Sequence, residues 1–348
     1  MTRSNSPIRW GIIGAGDVCE VKSGPALQRA TGSALVAVMR RDGTKARDFA
    51  RRHGVARAYD DADALIHDPE VDAVYIATPP SSHAEYTRRA AAARKPVYVE
   101  KPMARNHAEC EAMVAACEQA GVPLFVAYYR RALPNILKVK ALLAEGAIGD
   151  VRYVDITLNK PLYPDIVGAS RDPANWRTTP EIAGGGYFYD LASHQLDVVD
   201  FLLGPIAAAQ GFARNQGGVY GAEDIVTGVF HFAEAPVLGR GTWCFAASAA
   251  SEREVITFIG SGGEIAFSCF GDHSVTLRRP GAEPEVFKFE IPRHIQLPLI
   301  QTIVDTLRGQ GTCPSTGVSG ARTARVMDEL CRRLDAQPAA SPRQLSPR

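Results

Sequence analysis

Tyr189-Asp190-Leu191-Ala192-Ser193-His194 places a carboxylate and an imidazole four residues apart in a stretch that continues with Leu196, Val198, Val199, Phe201 and Leu202. On a helix such a pair shares one face at about 6 Å, so both groups can meet one bound molecule. Imidazole titrates near neutrality and can take or release a proton, while the carboxylate orients hydroxyls or the imidazole itself. A capping aspartate followed by a core histidine has the same spacing, so these residue types alone do not decide the matter. A second cluster opens the chain, in Trp10-Gly11-Ile12-Ile13-Gly14-Ala15-Gly16-Asp17-Val18-Cys19. Gly14 permits a tight turn, Gly16 lets backbone approach a pyrophosphate, and the N–H groups of the helix start then face the anion. Ala15, Asp17 and Val18 complete that cradle. Cys19 stands where a third glycine would serve helix–strand packing. A bare G-x-G is weak evidence until its context is known.

The strand that follows ends Val38-Met39-Arg40-Arg41-Asp42. A site for NAD usually carries an acid there for the ribose hydroxyls. Arginine suits a 2′-phosphate instead and can stack on adenine, so Arg40 and Arg41 point to NADP. Asp42 becomes the ribose acid if the register shifts by two, which leaves NAD open.

These residues need elements to position them. The first 127 residues alternate β-rich runs with helical stretches. Strands are expected at Ile8–Ile13, Ala34–Met39, Ala73–Ala77, Val97–Glu100 and Leu124–Ala127. Helices are expected at Thr44–His53, Ala62–His67, His83–Ala93 and His107–Ala120. Nearly continuous apolar strands between helices specify a doubly wound parallel sheet, with ligands at the carboxyl ends of its strands. From Tyr128 the rhythm changes. A helix over Asn135–Glu145 leads to a strand at Val151–Thr157, a Pro-rich loop at Pro161–Pro180 and a glycine run at Gly184–Gly186. A series of strands then runs from Ala207 to Glu290 without helices between them, which implies a large, mainly antiparallel sheet open on one face. Val229, Phe230, Trp243, Phe245, Ile256 and Phe258 lie along it, so a second copy is expected to cover the open face. Helices near Leu297–Arg308 and Gly317–Leu334 close the α/β second half. The expected division is a Rossmann domain at 1–127, a substrate-binding and oligomerisation domain at 128–337 and a flexible tail at 338–348.

Composition narrows the functional classes. The chain has 348 residues, 46% apolar and 22% charged, a globular balance of two-domain size. Lys plus Arg (39) nearly cancels Asp plus Glu (38), for a net charge of +1, and no basic block suggests nucleic acid. There is no apolar run of membrane-spanning length and no signal-peptide core at the start. Seven cysteines form no zinc-like cluster, which fits reduced thiols in the cytoplasm and no metal site.

The motifs in order resemble the Gfo/Idh/MocA oxidoreductases over Ile8 to Leu334. The resemblance rests on Gly11–Gly16, Ala77-Thr78-Pro79 with His83, Glu100-Lys101-Pro102, Asn175-Trp176-Arg177, and Gly184–Gly186 with Asp190 and His194. It implies that Lys101 reaches both nicotinamide ribose and substrate, that Glu100 helps hold the cofactor, and that Thr78, Pro79 and His83 flank it. An ammonium beside the reacting oxygen would stabilise a developing alkoxide or polarise a ketone. His194 would move the proton and Asp190 would orient. Tyr128, Arg131, Trp176 and Arg177 are expected to line the substrate side, with Tyr129, Asn175, Tyr187 and Tyr189 as further candidates. The implied protein is a homodimer or homotetramer acting on a small molecule, a sugar, cyclitol or related polyol. Dihydrodiol dehydrogenase-like and anhydrofructose reductase-like activities are rivals. An NAD-retaining glycoside hydrolase and a non-catalytic NADP-binding protein rank below them.

Overall fold

The computed structural model describes residues 6–162 and 175–331. The tail expected at 338–348, most of the Pro-rich loop and the far end of the last helix lie outside the described residues. Six strands make the first sheet: β1 (Ile8–Ile13), β2 (Ser33–Met39), β3 (Arg57–Tyr59), β4 (Ala73–Ile76), β5 (Val97–Val99) and β6 (Leu124–Val126). All neighbours run parallel, in the order β3-β2-β1-β4-β5-β6. β1 and β4 are entirely apolar or glycine beyond Arg9, and β4 is buried along its whole length, as a strand covered on both faces must be. The strand order reverses between β1 and β4, which opens a crevice at their carboxyl ends.

The helices between these strands are α1 (Gly24–Arg29), α2 (Gly43–His53), α3 (Ala62–Ile66), α4 (His83–Ala92) and α5 (His107–Ala120). α2 starts where the Asp42 side chain accepts from the Thr44 and Lys45 N–H groups, and stops at Gly54 with φ of 65°. α5 is bounded in the same way by Asn106 and Gly121. Two elements of this first half are absent from the sequence reading. β3 is a three-residue edge strand, half-buried, with no apolar run to signal it. The stretch behind the glycine turn is helical through a π turn at Cys19–Ser23, and Gly24-Pro25 conceals it. Pro25 is nevertheless at home there, because the first turn of a helix needs no donor. Gly24 is required, since a Cβ would lie 2.3 Å from the Cys19 carbonyl oxygen.

The second half contributes α6 (Pro134–Ala144), β7 (Val151–Asn159), α7 (Pro180–Ala183) and α8 (Ser193–Leu203). Then come β8 (Ile206–Arg214), β9 (Ile225–Phe232), β10 (Leu238–Cys244), β11 (Arg253–Gly260), β12 (Glu264–Phe267), β13 (Val275–Arg278) and β14 (Glu285–Phe287), and finally α9 (Leu297–Leu307) and α10 (Gly317–Leu330). The eight strands pair as β14-β13-β12-β11-β7-β10-β9-β8, antiparallel except for β7 with β10. Alternation sorts the side chains. Phe230, Trp243, Ile256 and Phe258 are buried on the inner face, and Gly239 and Gly241 leave room there for the Phe230 and Trp243 rings. Tyr153, Phe212, Val229 and Leu238 project from the opposite face, with Leu238 67% exposed. α8 is buried from Ser193 to Asp200. Among the described residues no helix is long and apolar enough to cross a membrane.

Candidate active site

A cleft of about 890 Å³ runs along the carboxyl ends of the parallel strands. At one end the turn after β1 supplies Gly14, Gly16, Asp17 and Val18. Gly14 has φ of 87°, and a Cβ there would lie 2.6 Å from Thr78 Cγ2; no close neighbour fills the space beside Gly16. The turn is therefore pressed against the loop after β4 on one side and open on the other, where a pyrophosphate can approach backbone N–H groups. Thr78 and Pro79 line the same wall, and so do Arg40, Arg41 and Asp42 at the end of β2. Among the described residues neither Arg40 nor Arg41 has an ion-pair partner, whereas Asp42 Oδ1 is committed to capping α2 at 3.0 and 3.2 Å. These residues fit a dinucleotide.

At the other end, Lys101 Nζ donates to Asp190 Oδ1 at 2.6 Å and to the Asp190 carbonyl oxygen at 2.9 Å. Asp190 Oδ2 accepts from Arg177 Nε at 3.3 Å. Burial alone would raise the Asp190 carboxyl, but Lys101 and Arg177 hold it below the usual carboxylate value. Glu100, the neighbour of Lys101, is buried and held by the Tyr75 hydroxyl at 2.6 Å and Gln296 Nε2 at 2.7 Å. His194 stands beside this group on the first turn of α8, 2% exposed. Its ring meets Tyr129 at 5.3 Å, and Tyr128 and Phe270 at 6.0 Å each, all edge-on. Nδ1 is sealed in without a hydrogen-bond partner, which leaves Nε2 for the cleft. Burial, reinforced by Arg130, Lys101 and Lys22, drops its basicity well below that of free histidine. The imidazole is neutral at neutral pH.

Several expectations need correcting. Asp190 belongs to a π turn, Phe188–Ala192, rather than to the regular helix of His194, and no hydrogen bond joins the two. Its carboxylate positions Lys101, not the imidazole. The glycine run Gly184–Gly186 serves close packing. A Cβ on Gly184 would lie 2.4 Å from the Arg105 carbonyl oxygen, and one on Gly185 would lie 2.1 Å from the Tyr189 ring. Arg131 is not on the cleft wall. Its guanidinium is buried against Asp197, at 2.7 Å, and Asp200, at 3.1 Å. His83 is wholly buried, with Nε2 2.7 Å from the Thr78 carbonyl and Nδ1 3.1 Å from that of Met103, so it clips two cleft loops together from behind. Ala15 is also buried, and Tyr128 backs the His194 ring without lining the cleft. Tyr187 packs on Tyr220 and Phe245, and the Tyr189 hydroxyl bonds Asp328 at 2.7 Å. Asn175 caps the turn that carries Trp176 and Arg177, both on the cleft.

Sequence reasoning missed several cleft residues, among them Lys22, Arg130, Phe270 and Gln296. Arg130 differs from Arg131 by one place in a tight 3₁₀ turn, Tyr129–Ala132, where successive residues point about 120° apart. The two guanidinium groups therefore leave in different directions. Lys22 lies in the concealed helical stretch. Phe270 and Gln296 belong to connections with no local signature.

Residues 8–128 match the oxidoreductase family with an NAD-binding Rossmann fold, and residues 136–266 match the GFO/IDH/MocA C-terminal domain. Oxidoreductase P35 of Formosa agariphila is 40% identical over 326 residues, 94% of this chain and 99% of that protein. This chain belongs to the Gfo/Idh/MocA family. It is accordingly an NAD(P)-dependent oxidoreductase. The chain is also similar to 1,5-anhydro-D-fructose reductase of Ensifer adhaerens, 32% identical over 64% of this chain and 66% of that protein. The fold is shared with levoglucosan dehydrogenase in complex with NADH and levoglucosan, at a TM-score of 0.82 and 23% identity, covering 93% of this chain and 96% of that one.

The placement of Arg131 carries an expected outcome. Arg131→Met strands Asp197 and part of the Asp200 charge in the interior, and removing one partner of a buried pair typically costs about 3–5 kcal/mol. Denaturant unfolding should register a loss of that order. A variant of unchanged stability with impaired substrate binding would return Arg131 to the cleft.

Proposed function

We propose that this protein moves a hydride between NADP and the secondary alcohol or ketone of a sugar, cyclitol or related polyol. The observation that carries the reading is the buried, neutral imidazole of His194 facing the same cleft as the Lys101 ammonium and the glycine turn. The names of the two relatives, a reductase of anhydrofructose and a dehydrogenase of levoglucosan, support a sugar-like substrate.

Gly14, Gly16, Asp17 and Val18 would hold the pyrophosphate, Arg40 and Arg41 a 2′-phosphate, and Thr78, Pro79 and Glu100 the nicotinamide side. The nicotinamide supplies the acceptor or donor of hydride. In the oxidative direction His194 Nε2 accepts the hydroxyl proton as the C–H bond breaks. An ammonium has three N–H donors, and Lys101 gives two to Asp190. The third remains for the substrate oxygen, whose negative charge it stabilises. Asp190, pinned by Arg177, keeps that ammonium aimed. In the reductive direction the protonated imidazole returns the proton and Lys101 polarises the ketone. A retained-NAD hydrolase sits poorly with Arg40 and Arg41, and a non-catalytic role leaves the convergence of Lys101, Asp190 and His194 without purpose.

The open face of the eight-stranded sheet, with Tyr153, Phe212, Val229 and Leu238, is the surface we assign to a second copy of this chain. Light scattering at micromolar concentration is expected to give a dimer or larger; a stable monomer would refute that assignment.

Arg40→Ala with Arg41→Ala is expected to weaken NADPH binding by about 10–100-fold and NADH binding far less, because only NADPH carries the extra phosphate. Equal wild-type affinity for both cofactors, measured by fluorescence titration, would contradict the NADP preference. Lys101→Ala and His194→Ala should each lower turnover by roughly 10²–10⁴-fold. NADPH binding should survive in His194→Ala. Because burial and nearby cations depress the His194 pKa, the oxidation rate should hold steady as pH falls through 6.5 and decline only in more acidic solution. Near wild-type turnover in both variants would refute the catalytic assignment.

A further inference from the structure

Among the described residues, the substrate end of the cleft carries more positive charge than its carboxylates balance. Lys22, Lys101, Arg130 and Arg177 face it, against Asp190 and Glu100. Asp190 is already shared by Lys101 and Arg177. Arg130 is the exceptional member. It is 5% exposed, and its guanidinium lies 4.9 Å from the Tyr129 ring centre and 4.5 Å from that of Phe270. Its Nε donates to the Cys269 carbonyl at 2.9 Å, while Nη1 is sealed in with no partner. Among the described residues no carboxylate lies within ion-pair distance of Arg130 or of Lys22. The contrast with Arg131 is direct, for that equally buried neighbour has two aspartates. A buried, unneutralised guanidinium is costly, by several kcal/mol in general.

We infer that Arg130, assisted by Lys22, binds a carboxylate on the substrate, so that the polyol of this reaction is a sugar acid. The inference rests on the oxidoreductase reading above and names its substrate class. Cofactor phosphates do not explain Arg130. It follows β6, three strands from the β1 glycine turn, which at about 4.8 Å per strand is roughly 14 Å across the sheet. A carboxylate, with one charge and two oxygens, matches what the spot offers, the one remaining guanidinium nitrogen, Nη2, and one ammonium. A phosphate monoester brings nearly two charges and three oxygens and would lack a donor. The rings of Tyr129 and Phe270 also touch the His194 ring edge-on, so the acid group lies close to the reacting carbon.

The test is calorimetric titration of the NADP-loaded protein with D-glucuronate, D-galacturonate and D-gluconate, against D-glucose, D-galactose and D-glucose 6-phosphate. At least one acid should bind about 10–100-fold more tightly than its neutral parent. Arg130→Gln should reduce that ratio to within about threefold, and Lys22→Met should reduce it by a smaller factor. NADPH binding verifies that each variant is folded; if Arg130→Gln fails to fold, Lys22→Met alone decides. Equal or better binding of the neutral sugars, preference for the phosphate ester, or an unchanged ratio in a folded variant overturns the inference. Turnover of neutral sugars with no preference for acids would overturn it while leaving the oxidoreductase reading intact. Selective acid binding without hydride transfer to or from any sugar would do the reverse.

Discussion

The Lys101–Asp190 ion pair is the contact on which the rest of the site depends. Lys101 follows a strand of the parallel sheet, and Asp190 lies in a turn that leads into the buried helix of the second half. Both side chains are at least 85% buried, so their attraction is little screened by solvent. The pair fixes the ammonium in space and brings His194 alongside. The surrounding groups hold that arrangement in place. Arg177 steadies the carboxylate, Gln296 and Tyr75 hold Glu100, and His83 ties the adjoining loops.

Much of the parallel sheet was legible in the sequence because its signals are local. Short apolar strands, capping residues such as Asn106 and glycines at helix ends such as Gly121 state their own structure. The second sheet was legible as a strand series from Ala207 to Glu290, although its last strand ends at Phe287, three residues short of that bound. β3 was illegible because an edge strand of three residues needs no apolar run, and the first helix because a glycine and a proline interrupt its composition.

The site was legible where chemistry and position coincide in a few consecutive residues. Glu100-Lys101 and Gly14-Ala15-Gly16 end strands, so their place followed from the sheet. Asp190 and His194 could be paired by spacing, but which partner each takes depends on a π turn that spacing does not encode. Tyr128, Tyr129, Arg130 and Arg131 form the hardest case. Four consecutive residues share a composition suited to the cleft, yet Tyr129 and Arg130 face it while the other two face the core. Only the tightness of the turn sorts them.

Glu254 on β11 has an influence out of proportion to its distance from the chemistry. Its carboxylate accepts from the Ser268 hydroxyl, from the backbone N–H groups of Cys269 and Phe270, and from Gln195, which in turn takes the Trp243 indole N–H at 2.8 Å. The turn at 268–270 is thus tethered to the sheet, and it holds Arg130 through the Cys269 carbonyl on Nε and the Phe270 ring, opposite that of Tyr129. A free arginine side chain surrenders up to about 2 kcal/mol of rotamer entropy when ordered. Here that loss is incurred on folding, so an arriving ligand meets a receptor already frozen in place, and its association need be opposed only by its own loss of motion.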